Sequence, residues 1–96
     1  MPVYVDDSQI NFGRMVMCHM LADTRAELDA MADKIGLDRR HIQRPGSIHE
    51  HYDVCRAYRK RAVAAGAVEI NWRDVYTILR ARKAALFDRP ETTARP

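Results

Sequence analysis

The stretch from Thr24 to Gly36, TRAELDAMADKIG, limits the fold more than any other part of the chain. Thr24 and Glu27 form a capping box, in which hydroxyl and carboxylate each satisfy a backbone amide that the first helical turn leaves without a partner. Leu28, Met31, Ala32 and Ile35 recur at helical spacing, Asp29, Asp33 and Lys34 face away, and Gly36 supplies the stop. A helix with one apolar stripe must bury it against another layer, and the flanking segments are β-rich. VYVDD (Val3 to Asp7) reads as a buried strand with carboxylates at its carboxyl end, Ser8 to Gly13 as a connection, and RMVMCHM (Arg14 to Met20) as a short strand.

Beyond Gly36, His41 to Gln43 reads as another strand and Arg44 to Ser47 as a turn. A helix then runs to Gly66 with two alternative starts. Ser47 and Glu50 would make a second capping box, placing His51 and Cys55 on one helical face; Asp53 as N-cap would leave His51 and Asp53 on one face of an extended segment. AVEI (Ala67 to Ile70) reads as a strand, and Asn71 caps a last helix with Trp72, Val75, Tyr76, Leu79 and Leu86 as its buried stripe. The alternation predicts a small α/β domain of two or three layers over residues 1–87, with a short, mainly parallel sheet and about three helices. Residues 88–96, polar and proline-bearing, read as a flexible tail.

Composition narrows the function classes. The chain has 96 residues, enough for one core, and 16 basic against 13 acidic residues in mostly interleaved positions, so anionic partners are favoured only slightly. Cys18 and Cys55 are far apart and form no CxxC, and no charged segment followed by an apolar run opens the sequence; a cytoplasmic protein with reduced thiols is the expectation. No stretch reaches the roughly 20 apolar residues that a membrane helix needs. A core of this size would gain from homodimerisation.

Ligands of open α/β sheets collect outside the carboxyl ends of strands, where helix N-termini present free amides. The loops Asp6 to Arg14, His19 to Thr24 and Gln43 to Asp53 therefore hold the candidate site. His19, His51 and Asp53 are the candidates for acid and base chemistry, because a carboxylate fixes one imidazole tautomer and leaves the other nitrogen free to move a proton. Asp6, Arg14, Asp23, Arg44, Tyr52 and Arg59 are the candidates for ligand binding, the guanidinium groups suiting phosphate oxygens.

Asp6, Gly13 and Arg14, the run CHMLAD (Cys18 to Asp23), the helix ELDAMADKIGL, HYDV (His51 to Val54) and AVAAGAVEI (Ala62 to Ile70) together resemble the domain-of-unknown-function family 4031 of bacteria and phages. His19-x-x-x-Asp23 with HYDV is the more specific part, and the resemblance covers the chain up to about the last helix. It implies no established activity. Some members resemble this domain joined to an HD-type phosphohydrolase, which implies a link to nucleotide metabolism. Where other members have a proline after HYDV, this sequence has Cys55.

The candidates support a small phosphorylated or nucleotide-like ligand first, with a hydrolase or phosphoryl-transfer enzyme using His19, His51 and Asp53 as the alternative. A structural zinc is poorly supplied: Cys18 and His19 point opposite ways on a strand, and His49 to His51 is not a finger spacing. No residue is assigned to a metal on this basis. A nucleic-acid reader would use Arg39, Arg40, Arg80, Arg82 and Lys83, but Trp72 and Tyr76 read as core and no recognised binding motif is present. Met15, Met17 and Met20 suit either core filling or an adaptable protein-binding surface.

Overall fold

The first hairpin sets the frame for everything else. In the computed structural model, which describes residues 2–87, strand β1 (Val3–Val5) pairs with the end of β3 (Met15–Ala22), and β2 (Ile10–Phe12) pairs with its beginning along the same edge. Gly13, at φ 60, opens the two-residue turn before β3, where a residue with a Cβ would be strained. The segment read as a connection, Ser8 to Gly13, thus contains a strand. Val5 faces Met20 and Ile10 faces Met17, so five steps along one side match three along the other. The two surplus residues bulge out between Asp6 and Gln9, beside Cys18 and His19.

The remaining elements are α1 (Arg25–Ile35), a 3-10 turn (Arg39–His41), β4 (Ile42–Gln43), β5 (His51–Cys55), α2 (Arg56–Ala64), β6 (Val68–Glu69) and α3 (Asp74–Phe87). The strand order is β4-β5-β3-β1-β6. The small α/β domain with three helices is as expected, but the sheet is mostly antiparallel; β1 with β6 is the parallel pair. The two-residue turn before β3 can only reverse the chain and makes β2 and β3 antiparallel, whereas β6 reaches β1 in parallel by way of a long crossover. The stretch read as a tail, 88–96, lies outside the described residues.

Alternation along the strands separates two faces. Val3, Val5, Cys18, Met20, Ala22, Tyr52 and Val54 turn toward α1 and α2 and form the main core with Leu28, Met31, Ala32 and Ile35. Thr24 caps α1 by accepting from the Glu27 amide at 3.3 Å, while its own hydroxyl donates to the Glu27 carboxylate at 2.7 Å, so Glu27 closes the box through the hydroxyl and not the backbone. Asp29, read as facing away, is buried: it accepts from the Tyr52 hydroxyl at 2.6 Å and from Arg25 Nε. A carboxylate can sit against a core only with partners of this kind.

Helix α3 covers part of the other face. Asn71 caps it as expected, accepting from the amides of Arg73 and Asp74. The stripe differs: Ile78 is buried, Val75 and Leu79 are half-buried, and Trp72, Tyr76 and Leu86 are exposed. The packed face is 75, 78, 79 and 82, where Arg82 donates to the carbonyls of Ala22, Ile48 and Glu50 and ties the 44–50 loop to the sheet. Among the described residues no helix is long and apolar enough to cross a membrane.

Candidate functional site

The segment with two alternative starts is a strand, and this settles the geometry of the site. His49 and Glu50 do not enter a helix: the Ser47 hydroxyl donates to the Arg44 carbonyl, and Glu50 accepts from the Gly46 amide. Asp53 is not a cap either; α2 begins after Cys55, whose side chain makes no capping bond. His19 and Asp53 stand directly opposite each other across the β3–β5 ladder, and His51 lies two residues before Asp53. Period-two alternation aims all three away from the α1–α2 core. The His19 and His51 rings meet edge to face, with centroids 5.2 Å apart.

Each imidazole is held from behind. Asp6 follows β1 where the first strand breaks, and it is fully buried. Its Oδ1 accepts from the backbone amides of His19 (2.9 Å) and Ser8 (3.2 Å), and its Oδ2 accepts from the Ser8 hydroxyl (2.9 Å) and from His19 Nδ1 (2.7 Å). The carboxylate thus takes the place a ladder carbonyl would fill. Burial alone would push the Asp6 carboxyl up; the bonds from His19 and Ser8 outweigh it and hold the group below the ordinary value. The Asp6 hydrogen bond likewise holds the His19 imidazole above its ordinary value, against burial. With Nδ1–H committed to Asp6, Nε2 is the free nitrogen of neutral His19.

His51 repeats the arrangement with a different acceptor. Its Nδ1 lies 2.7 Å from the His49 carbonyl oxygen, which can only accept, so Nδ1 carries a proton. Its Nε2 is 3.2 Å from Asp53 Oδ1. The contact with His51 holds the Asp53 carboxyl below the ordinary range, more than offsetting burial. One donor atom from each of His19, His51 and Asp53 lies within 4.8 Å of the other two, and these three are the group able to hold a metal among the described residues.

His19 and His51 line a cleft of about 340 Å³, closed on one side by the exposed rings of Trp72 and Tyr76, whose centroids are 6.4 Å apart. Arg44 lines the same cleft, with φ 54 in the left-handed region immediately before Pro45. The cluster lies on a face of the sheet, and Asp6 is its member at a strand's carboxyl end. The other sequence candidates are elsewhere. Arg14 is exposed in the β2–β3 turn, and Asp23 lines a separate depression with Thr24 and Arg82. Tyr52 is buried on the opposite face, bonded to Asp29, because neighbours on a strand point opposite ways. Arg59 lies beside Cys18 and donates to the Asp6 main-chain carbonyl and to Glu69, so it supports Asp6 from behind.

Sequence reasoning missed Ser8, the His49 carbonyl and the Trp72–Tyr76 wall. The Asp6-x-Ser8 spacing, typical of side chain to backbone turns, was a usable signal for the first. The basic set considered for nucleic acid is not one surface: Arg39 is paired with Asp33 at 2.7 Å, and Arg82 points inward to backbone carbonyls.

These features define a small mixed α/β domain whose sheet face carries two histidines and one carboxylate, backed by a buried aspartate. Residues 3–82 match the family model described as protein of unknown function, DUF4031, and the chain belongs to that family. No curated protein and no solved structure gives a match.

Proposed function

We propose that the chain binds a small planar anionic ligand, nucleotide-like or otherwise phosphorylated, in the cleft between the His19–His51 pair and α3. The observation that carries this is the lining itself: two imidazoles and the Arg44 guanidinium share one cleft with the exposed Trp72 and Tyr76 rings. The Arg44 guanidinium suits phosphate oxygens, and the aromatic wall suits a flat ring. The carboxylates on the lining do not oppose an anion strongly. Asp6 is engaged by His19 and Ser8, and Glu50 accepts from the Gly46 amide at 3.0 Å and lies 3.5 Å from Arg25 Nη1. Arg44 also holds a backbone conformation that costs of order 1 kcal/mol for a side-chain-bearing residue, a cost found most often where a side chain must be aimed.

Trp72 is the chain's single tryptophan, so its fluorescence reports on the cleft. Titration with nucleoside monophosphates is expected to quench it saturably, nucleosides and inorganic phosphate binding more weakly, and Arg44→Ala weakening the nucleotide about tenfold, the worth of one charge-assisted contact. No saturable quenching by any phosphorylated compound would remove the reading.

A second reading, a hydrolase or phosphoryl-transfer enzyme, is favoured by the 2.7 Å Asp6–His19 contact, which leaves Nε2 free to accept a proton from an attacking water. His51→Ala or Asp53→Asn abolishing turnover while binding survives would establish it, whereas equal loss of binding favours capture alone.

A further inference from the structure

We propose that His19 Nε2, His51 Nε2 and a carboxylate oxygen of Asp53 bind one divalent first-row transition cation. A cation here does not depend on what the cleft takes. His19 spends its Nδ1–H on Asp6 and His51 spends its Nδ1–H on the His49 carbonyl. Two neutral imidazoles so oriented bring two lone pairs to one place, and Asp53 adds a carboxylate. At 3.2 Å, His51 Nε2 and Asp53 Oδ1 would be two acceptors face to face. Only an added proton or a bound cation resolves that contact.

The surroundings match those behind metal-binding imidazoles, where the second ring nitrogen donates to a carboxylate or to a backbone carbonyl and thereby fixes tautomer and ring direction. Here each histidine has one of the two: a fully buried carboxylate for His19 and a carbonyl for His51. The separations fit as well. Donors about 2.0–2.2 Å from a tetrahedral ion are roughly 3.3–3.5 Å apart. The His51–Asp53 pair is already at 3.2 Å, and the whole set within 4.8 Å, so His19 has at most about 1.5 Å to close, within side-chain adjustment.

Ligand chemistry narrows the ion. Two imidazoles and one carboxylate suit zinc and ferrous iron, whereas magnesium and calcium prefer oxygen donors. Three protein ligands leave coordination positions open, the pattern of sites that act on a ligand and not of sites that only hold a fold. The sequence objections to zinc, that Cys18 and His19 point opposite ways and that His49 and His51 have no finger spacing, do not touch this set, which takes no ligand atom from Cys18, Cys55 or His49; His19 comes to His51 from the neighbouring strand β3, their rings 5.2 Å apart.

The test is a competition titration of the untagged chain with Zn²⁺ against a chromophoric chelator, with ¹⁵N spectra of the histidine rings recorded in parallel. One ion per chain is expected, with Nε2 shifts at His19 and His51 in the unaltered protein. His51→Gln and Asp53→Asn should each weaken binding at least tenfold with circular dichroism unchanged, while His41→Ala should bind as the unaltered chain does. Mg²⁺ should not compete. The proposal is overturned if binding is not stoichiometric, if the shifted nitrogens belong to His41 or His49, or if the control variant loses as much affinity as the site variants; should a site variant unfold, the ring spectra of the unaltered chain decide alone.

Discussion

Replacing Asp6 by Asn changes one atom and should reverse the tautomer of His19. Oδ1 of Asp6 accepts from two backbone amides, those of His19 and Ser8, which can only donate. An amide side chain in this position must therefore keep its oxygen where Oδ1 is, which places its NH₂ where Oδ2 is. That NH₂ then faces His19 Nδ1, at the position now 2.7 Å away, and the ring nitrogen must accept. The proton moves to Nε2, and the lone pair aimed at His51 and Asp53 is lost. Partners of this kind are worth about 10–100-fold in metal affinity, or about 1.4–2.8 kcal/mol. Stability should fall by about 1–2 kcal/mol, the difference between charge-assisted and neutral hydrogen bonds at two retained contacts. Long-range ¹⁵N correlation of the ring assigns the tautomer, and the chelator competition gives the affinity. A folded Asp6→Asn protein with Nε2 still unprotonated and its Zn²⁺ affinity unchanged would refute the reasoning.

Tyr52→Phe removes a buried donor to Asp29, but Arg25 remains on that carboxylate, so the cost lies near the low end for a charged acceptor, about 1.5 kcal/mol, or a melting temperature lower by about 6–12 °C; a urea titration showing under about 0.5 kcal/mol would mean the contact carries no net weight. Burial pushes the Cys18 thiol up to about 11, with Asp6 adding to the shift, so near neutral pH iodoacetamide should modify the half-exposed Cys55 first and reach Cys18 on unfolding or as pH rises toward that value. Equal labelling of both in the native chain would contradict the placement of Cys18 in the core.

Local signals sufficed where the interactions are local. The α1 helix was legible from Thr24, Glu27, the apolar positions and Gly36, because capping and the stripe act within a few residues of each other. Asn71 as the α3 cap was legible for the same reason. Residues that meet in the cluster were among the sequence candidates, His19, His51 and Asp53 for acid and base chemistry and Asp6 for ligand binding, whereas the structure sets Asp6 behind His19 as its hydrogen-bond partner.

What tertiary structure decided was which of several locally acceptable states each segment takes. HYDVC had helix and strand starts of similar merit, and β3 chose between them by pairing Cys18 with Val54 and His19 with Asp53, some thirty-odd residues apart in the chain. That pairing divided the motif, sending Tyr52 to the core and His51 and Asp53 to the open face. Asp29 is buried because Tyr52 supplies it a donor, and Trp72 and Tyr76 are exposed because the packed face of α3 is the one that carries Ile78 and Arg82. Residue chemistry and short-range geometry are written in the sequence itself; strand partners, and with them the face each side chain occupies, depend on contacts between distant segments that no local pattern specifies.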